Sequence, residues 1–391
     1  MNVAVFTVGS NPLPVYVVAE YLLKTPRQDE KHFPRPDYLI FVYSKETEKI
    51  QEKIQESLRD KFKQYVRIEG VDLGNGEREE DTVLNSLKNK LLNLSKSSKI
   101  STLHLHYTGG TKPMSVFSYL AVKEFAQEQG IKAIFSDLHP DEAVLVSNQQ
   151  CSDGLRKIVR LNVDQIIKLH GMDISHSGNQ QLEYPDLDMK SFEKVIPLLI
   201  DKSFIKSLEE KNQIIKELGS IFSSIMPKSW EEFVKNSNEN VYNKFKNFLN
   251  GKWLEDYMLY QLQQLQNEFF ITDLRKSVKA KYNGRDCEID VVAIRGYQMY
   301  LFSCTTSDDV KPVKGKAFEA IYRADQLGGS HARVIVVSLL PQSGHNSSIE
   351  TLENDLSSFD ARFNKKCKLI GRDDLLDQEK LKANLLEVFK D

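Results

Sequence analysis

Two short segments carry the residue types that a phosphate-containing ligand needs. Thr7–Pro12 reads TVGSNP, and Thr108–Pro113 reads TGGTKP. Each follows an apolar β-branched run and precedes a helical pattern, which predicts a helix opening at the carboxyl end of a strand. Ligands of open α/β sheets bind at such strand ends, and N–H groups at a helix N-terminus attract anions. Either segment alone is compatible with a tight turn, but together they favour a ligand site.

The second segment supplies three kinds of contact. Gly109 and Gly110 let the backbone approach an anion closely. Thr108 and Thr111 offer hydroxyl groups, and Lys112 offers a positive charge. Neither segment follows the GxGxxG or GxxxxGK[ST] pattern, so a dinucleotide cofactor and a Walker-type NTPase are both disfavoured.

A separate group of acidic residues suits metal-dependent phosphodiester cleavage, in which carboxylates hold Mg²⁺ or Mn²⁺ beside the phosphate. In the run CEIDVVAI, Glu288 and Asp290 are two residues apart, so in a strand they point to one face. Asp290 lies in an apolar run where an unpartnered carboxylate is costly, and it is the strongest candidate. Glu255, near the apolar face of the preceding predicted helix, would complete the metal site with Asp290. The alternatives are a solvated helix charge for Glu255 and an exposed strand end for Glu288.

The elements that would position these residues fall into two α/β regions. Up to about residue 150, strand-like runs alternate with helical patterns, which predicts a doubly wound, mostly parallel sheet. From Trp253 the pattern is a helix, a hairpin with an Asn-Gly turn, further strands and a helix ending at Gly328-Gly329. We expect domains at 1–170 and 251–391, joined by a linker and helical middle segment at 171–250.

Composition limits the class of protein. The 391 residues are 40% hydrophobic and 28% charged, which is typical of a globular chain. No apolar run is long enough to span a membrane and the N-terminus does not resemble a signal peptide, so we expect no membrane association. Four widely spaced cysteines predict no disulfide framework and a cytoplasmic location. With a net charge of −2, nucleic-acid binding would need a local basic patch.

The first region resembles a known family. VFTVGSNPLPVYVVAEYL and HLHYTGGTKPMSVFSYLA are similar to the two signature regions of CARF domains, the CRISPR-associated Rossmann fold, over roughly residues 1–150. The resemblance implies a cyclic oligoadenylate ligand, expected to be cyclic tetra-adenylate, bound across a homodimer axis. It also implies which residues contact the ring, namely Gly9, Ser10 and Asn11 from one loop and Thr108, Gly110, Thr111 and Lys112 from the other.

Trp253–Val337 resembles the core of PD-(D/E)xK nucleases, a restriction-endonuclease-like α/β fold, and the pair of domains resembles the CARF–nuclease family. That family has Glu-x-Lys on the strand after the Asp hairpin, whereas this chain has Ser303-Cys304-Thr305. Three explanations remain open. The lysine comes from the following helix, as Lys314 or Lys316; it comes from the first hairpin strand, as Lys279 or Lys281; or the site is inactive.

These resemblances lead to one main functional hypothesis and two alternatives. The main hypothesis is a metal-dependent endonuclease of type III CRISPR antiviral defence, activated by cyclic oligoadenylate and cleaving RNA, DNA or both. The first alternative is a ligand-responsive nucleic-acid-binding or regulatory protein with an inactive nuclease-like domain. The second is that the first domain cleaves its own ligand.

Overall fold

The computed structural model describes residues 1–26, 33–62, 66–139, 142–148, 150–183, 246–282, 284–344, 347–359 and 363–390, with isolated positions and one short helix, α7 (Trp230–Lys235), between them. Most of the predicted helical middle segment therefore lies outside the described residues. Within the part of the chain that is described, no helix is both long and apolar enough to cross a membrane.

The first sheet has six strands in the order β3-β2-β1-β4-β5-β6, all parallel except the last. Its strands alternate with helices, as the sequence predicts. The elements are β1 (Asn2–Thr7), α1 (Pro12–Lys24), β2 (Tyr38–Tyr43), α2 (Glu48–Phe62), β3 (Arg67–Asp72), α3 (Glu80–Ser97), β4 (Thr102–His106), α4 (Lys112–Gln129), β5 (Lys132–Leu138) and β6 (Leu145–Ser147). Helices α1 and α2 cover one face, and α3 and α4 cover the other, because both faces of the parallel strands are apolar.

The second sheet also has six strands, in the order β12-β11-β10-β9-β8-β7. Its elements are α5 (Leu155–Ile158), α6 (Val163–Leu169), β7 (Asp173–His176), α8 (Trp253–Gln264), β8 (Asp273–Tyr282), β9 (Arg285–Arg295), β10 (Gln298–Cys304), α9 (Val310–Gly328), β11 (Arg333–Val337), α10 (Ile349–Phe359), α11 (Phe363–Lys366), β12 (Cys367–Ile370), α12 (Arg372–Leu375) and α13 (Gln378–Phe389). Strands β7 to β10 are antiparallel, and β10 to β12 are parallel. The predicted hairpin corresponds to β8 and β9.

One strand lies where composition predicts a linker. Strand β7 pairs with β8 at the edge of the second sheet, inside the predicted connection at 171–250. Its residues are mostly exposed at the edge of the sheet. Such a strand needs no alternation of apolar and polar residues, so its polar sequence did not predict a strand. The second sheet therefore starts well before Trp253.

The two sheets share a continuous apolar core. Helix α6 packs between them, and its buried Val163, Ile166 and Ile167 belong to one cluster with side chains of both sheets. Backbone contacts reinforce this junction, since the Leu161 N–H donates to the Gly296 carbonyl oxygen at 2.8 Å. The two predicted sites are thus carried on units that pack directly against each other.

Candidate ligand site and candidate active site

The two glycine-containing loops meet at one place in the first sheet. They follow β1 and β4, which are neighbours at the point where the strand order reverses, the usual position for ligands in open α/β sheets. A methyl group on Gly9 would lie 2.7 Å from the Gly110 nitrogen, and one on Gly109 would overlap the carbonyl oxygen of Thr7. Gly110 has a φ of +77°, a conformation that favours glycine. The two loops therefore converge at the switch point of the sheet.

Two of the predicted ligand-binding residues, Thr108 and Thr111, use their hydroxyl groups to hold the second loop in place. The Thr108 hydroxyl donates to Asp137 Oδ1 at 2.7 Å and accepts from the Leu138 N–H at 2.8 Å. Thr111 is the N-cap of α4, where its hydroxyl accepts from the Met114 N–H. These contacts fix the second loop, so its shape is set before any ligand arrives.

Asn11 joins the first loop to the second sheet. Its Oδ1 accepts from the Leu13 N–H and caps α1, while its Nδ2 donates to Ser330 Oγ at 3.3 Å. Gly329, at the end of α9, has a φ of +68°, and a methyl group there would lie 2.6 Å from Asn11 Nδ2. A predicted ligand residue therefore contacts the helix end of the other unit. Of the remaining predicted ligand side chains, Ser10 and Lys112 are exposed.

Two histidines lie beneath the second loop in β4. His104 and His106 are buried, and both contact the Ser136 hydroxyl, at 2.7 and 3.2 Å. Desolvation by burial lowers the pKa of each imidazole to about 3, so both rings are neutral at physiological pH. Both imidazoles therefore contribute to the packing of the sheet beneath the second loop.

The three predicted acidic residues lie close together, two on strand β9 of the second sheet and one on helix α8. Glu288 and Asp290 alternate with buried residues along β9 and line one narrow cleft. Glu255, in the first turn of α8, is only 7% exposed. The Lys252 ammonium lies 2.9 Å from Glu255 and 3.9 Å from Glu288, so the helix brings the third carboxyl group to the same place.

Burial and nearby negative charge raise the pKa of both Glu255 and Asp290. Desolvation raises the pKa of Glu255 to about 7, and the charge of Asp290 adds to that rise. Burial also raises the pKa of Asp290, against the opposing effects of the Cys304 N–H, which donates to Oδ2 at 2.8 Å, and of Lys316 and Lys252. Strongly shifted carboxyl pKa values in a cleft are typical of functional sites.

Lys252 is the cation that sequence reasoning missed. Its Nζ lies 2.9 Å and 3.0 Å from the two carboxylate oxygens of Glu255, and 3.9 Å from Glu288 Oε1. It ends a π-helical turn, Phe248–Lys252, and precedes α8 directly. No sequence motif indicated Lys252, because its approach to Glu288 joins two elements that are far apart in the chain.

The lysines proposed from sequence occupy different places. Lys316 interacts electrostatically with Asp290 and lines the same cleft. Lys279 lies 3.5 Å from Glu288 Oε2 on the neighbouring strand. In contrast, Lys314 pairs with Asp355 at 2.9 Å, and Lys281 pairs with Asp286 at 3.6 Å. The geometry therefore brings Lys316 and Lys279 to the acidic residues and directs Lys314 and Lys281 to other carboxylates.

The segment Ser303-Cys304-Thr305, which replaces the Glu-x-Lys of the nuclease family, contacts the acidic site through its backbone. The Cys304 backbone, at the end of β10, donates to Asp290, while burial raises the pKa of its thiol well above the usual range. A thiol held protonated is a poor nucleophile. Cys304 thus orients Asp290 through its backbone.

Two of these carboxyl groups are chemically suited to hold a divalent metal ion. Among the described residues, no group of three or more His, Cys, Asp or Glu side chains is arranged to hold a metal ion. Mg²⁺, however, is commonly held by one or two carboxylates together with water and substrate phosphates. Glu255 and Asp290 are hard oxygen donors whose mutual repulsion a cation would relieve, so the pair suits Mg²⁺ or Mn²⁺ that is completed by a substrate.

Comparison with known proteins assigns the first unit. Residues 25–164 match the family model of the Card1 CARF domain. The N-terminal domain is CARF-like. The matched range contains the Thr108–Pro113 loop, whereas the Thr7–Pro12 loop precedes it. No curated protein matches the chain in sequence.

Two solved structures share the fold of the CARF-like domain together with the second sheet. Can2 from Sulfobacillus thermosulfidooxidans, solved with cyclic tetra-adenylate, superposes with a TM-score of 0.65 at 14% identity, covering 100% of this chain and 97% of that chain. A type III CRISPR defence DNA nuclease activated by cyclic oligoadenylate superposes with a TM-score of 0.53 at 14% identity. That match covers 92% of this chain, which spans about half, 52%, of the nuclease. At these identities the similarity establishes the fold alone.

The CARF-like domain also carries a large cleft beside its second loop. The cleft is about 930 Å³ and lies between α4 and the strands β5 and β6. Asp137, which holds Thr108, lies on its wall, together with Tyr107, Tyr119 and Phe135. A surface of aromatic and polar groups therefore continues from the loop along this edge of the domain.

Proposed function

We propose that this protein is a metal-dependent endonuclease of type III CRISPR antiviral defence, activated by cyclic oligoadenylate and cleaving RNA, DNA or both. The observation that carries the proposal is the convergence of Glu255 on α8 with Glu288 and Asp290 on β9, in a unit that packs against a CARF-like domain. The domains would be a ligand-sensing domain at 1–170 and a PD-(D/E)xK-like nuclease domain at 251–391, with the middle segment at 171–250 adding β7 to the sheet of the nuclease-like domain.

The proposed ligand is cyclic tetra-adenylate, bound by a homodimer. The converging loops, with their close backbone approach at Gly9 and Gly110, suit phosphodiester groups of a ring. A two-fold symmetric ring fits a two-fold dimer in which each protomer contributes the same loops. Ser10 and Lys112, which are exposed, would contact the ligand directly. Asn11 and Thr108 would contribute mainly by holding the loops in shape.

In the proposed active site, Glu255 and Asp290 would hold Mg²⁺ or Mn²⁺. The metal would supply Lewis-acid stabilisation of the phosphate and lower the pKa of a bound water. The Cys304 N–H would orient Asp290 for this task, and the ammonium group of Lys252 contacts both oxygens of Glu255. Lys316, exposed at the mouth of the cleft, is suited to a phosphate of the substrate backbone.

Activation requires that the ligand bind more tightly to the cleavage-competent state than to the resting state. Helix α9 offers a direct connection. Its C-terminal end contacts the Asn11 loop through Gly329 and Ser330, and the side chains of Lys316 and Arg323, within the helix, line the acidic cleft. A shift of the ligand loop would therefore move a helix that forms one wall of the active site.

The test is a cleavage assay on the wild-type protein and the Asp290→Ala variant. Each is mixed with cyclic tetra-adenylate, Mn²⁺ or Mg²⁺, and labelled single-stranded RNA, single-stranded DNA and plasmid. We expect cleavage that needs ligand and metal and falls by roughly 10²–10³-fold in the variant. Asp286→Ala is the matched control, because Asp286 is on the same strand but pairs with Lys281.

The Ser303-Cys304-Thr305 departure favours a second candidate, a ligand-responsive nucleic-acid-binding protein without cleavage. The assay separates the two. Binding of ligand, together with a gel shift that strengthens in its presence and no product, would overturn the nuclease proposal in favour of this one. Cleavage that survives Asp290→Ala would move the chemistry to other residues.

A further inference from the structure

The ammonium group of Lys252 occupies the position of a cation within the acidic site. It contacts both carboxylate oxygens of Glu255, approaches Glu288 to 3.9 Å, and interacts electrostatically with Asp290. A metal ion that uses Glu255 would need the same oxygens. Two cations cannot share them without strong repulsion at such short range.

The backbone before α8 is shaped to deliver this side chain. Gly251 has a φ of 117°, which a residue with a side chain rarely adopts, and it interrupts the helical path just before Lys252. A methyl group on Gly251 would lie 3.3 Å from Thr306 Cγ2, in the segment that follows the Ser303-Cys304-Thr305 departure. The Lys252 side chain is nevertheless 32% exposed, so its ammonium can leave Glu255 for solvent without unfolding the helix.

The other nearby lysines interact with the acidic site in different ways. Lys279 contacts Glu288, and Lys276 forms a buried ion pair with Asp256 on α8, although its charge still acts on Glu255. Lys316 acts on Asp290 from the opposite wall of the cleft. Within the part of the chain that is described, Lys252 is the cation that forms hydrogen bonds to a carboxylate of the proposed metal pair.

We propose that Lys252 is a resident counter-ion of the acidic site and that a divalent cation must displace it from Glu255 in order to bind. The inference rests on the proposed function, because it concerns the same metal pair. It makes Lys252 a positioning residue that sets metal affinity. Displacement would also release one ammonium group beside the metal, where the substrate phosphate would lie.

The experiment is a calorimetric titration of the full chain with Mn²⁺, without cyclic oligoadenylate or nucleic acid. We expect Lys252→Met to bind Mn²⁺ roughly tenfold more tightly than the wild type, because the variant lacks the positive charge that competes with the metal for Glu255 at short range. Lys252→Arg keeps the competing charge and should bind as the wild type does. Lys281→Met removes a lysine that contacts Asp286 outside the cluster, and it should leave the affinity unchanged.

A second pair of variants ties the effect to Glu255. The gain should disappear when Glu255→Gln is combined with Lys252→Met. Lys252→Gln, which keeps a polar side chain, replaces Lys252→Met if the methionine variant does not fold. The inference is overturned if removing the Lys252 charge leaves Mn²⁺ affinity equal or weaker, if Lys281→Met gives the same gain, or if neither protein binds Mn²⁺.

The titration is independent of the cleavage assay. A protein that shows the expected change in Mn²⁺ affinity but cleaves nothing would uphold the inference and overturn the nuclease. A protein that cleaves, but whose Lys252→Met variant binds Mn²⁺ as the wild type does, would overturn the inference alone.

Discussion

The two candidate sites are formed by different kinds of interaction. In the CARF-like domain the loops are shaped by glycine contacts and by side-chain hydrogen bonds to the backbone, such as those of Thr111 and Asn11. In the second sheet the site is a group of charged side chains, Glu255, Asp290 and Lys252, reaching from separate elements. The first site depends on backbone shape and the second on charge balance, so the two should respond to different perturbations.

The largest effect should come from changing backbone shape at the first site. Gly109→Ala places a methyl group against the carbonyl oxygen of Thr7 and 2.9 Å from Val15 Cγ2, so the loop must shift. We expect a loss of about 3 kcal/mol in the free energy of unfolding, the upper end for overpacking. Ligand affinity should fall at least roughly tenfold. Both are measured by chemical denaturation and ligand titration.

The control for this prediction is Gly154→Ala, because a methyl group at Gly154 meets no atom within 4 Å. Mn²⁺ affinity should be unchanged in both variants, since the acidic site does not use this loop. Unaltered ligand affinity in Gly109→Ala would place the ligand site elsewhere and remove the contrast between the two regions.

Acidification should affect the CARF-like domain through its buried histidines. His104 and His106 have pKa values lowered to about 3, whereas in the unfolded chain they titrate near 6.5. The unfolded state therefore binds protons first, and stability falls as pH drops from about 6.5 towards 3. The loss should be roughly 1.4 kcal/mol per histidine at pH 5.5. Denaturation at pH 7.5 and 5.5 measures it.

The matched variant is the double substitution His104→Gln and His106→Gln, which should reduce the pH dependence of stability whatever its absolute stability. His176→Gln, on an exposed edge strand, should leave the slope unchanged. A slope that persists in the double variant would show that other groups control acid stability in this domain.

The smallest effect should come from the contact that joins the two regions. Ser330→Ala removes the hydroxyl that accepts from Asn11, and one such hydrogen bond contributes about 1 kcal/mol. We expect the ratio of cleavage rates with and without ligand to fall about threefold, a modest coupling energy. Ser330→Thr keeps the hydroxyl and should retain the wild-type ratio. An unchanged ratio in Ser330→Ala would mean that activation does not pass through this contact.

Sequence predicted the first region well because its signals are local. Apolar runs followed by Gly and Thr define β1, β4 and their loops, and the structure confirms both strands and the meeting of the loops. The sequence could not show that Asn11 and Thr108 are engaged in caps and loop contacts, since those partners lie in other elements.

The second region was predicted less completely, for physical reasons. The alternation in β9 identified Glu288 and Asp290. The role of Lys252 depends instead on the positive φ of Gly251 and on its approach to Glu288 in a distant strand, neither of which leaves a local pattern. Strand β7 is an exposed edge, so it lacks the apolar alternation that marks a strand. Lys314 and Lys316 are two residues apart on one helix, and their different directions place them beside different carboxylates.

The shared core around α6 has a consequence for how the molecule melts. Val163, Ile166 and Ile167 are buried together with residues of both sheets, so separating the units would expose a large apolar surface to water. The two halves are therefore expected to denature in one cooperative transition. A ligand that binds only the CARF-like half would then raise the melting temperature of the acidic half as well, because mass action stabilises the whole cooperative unit.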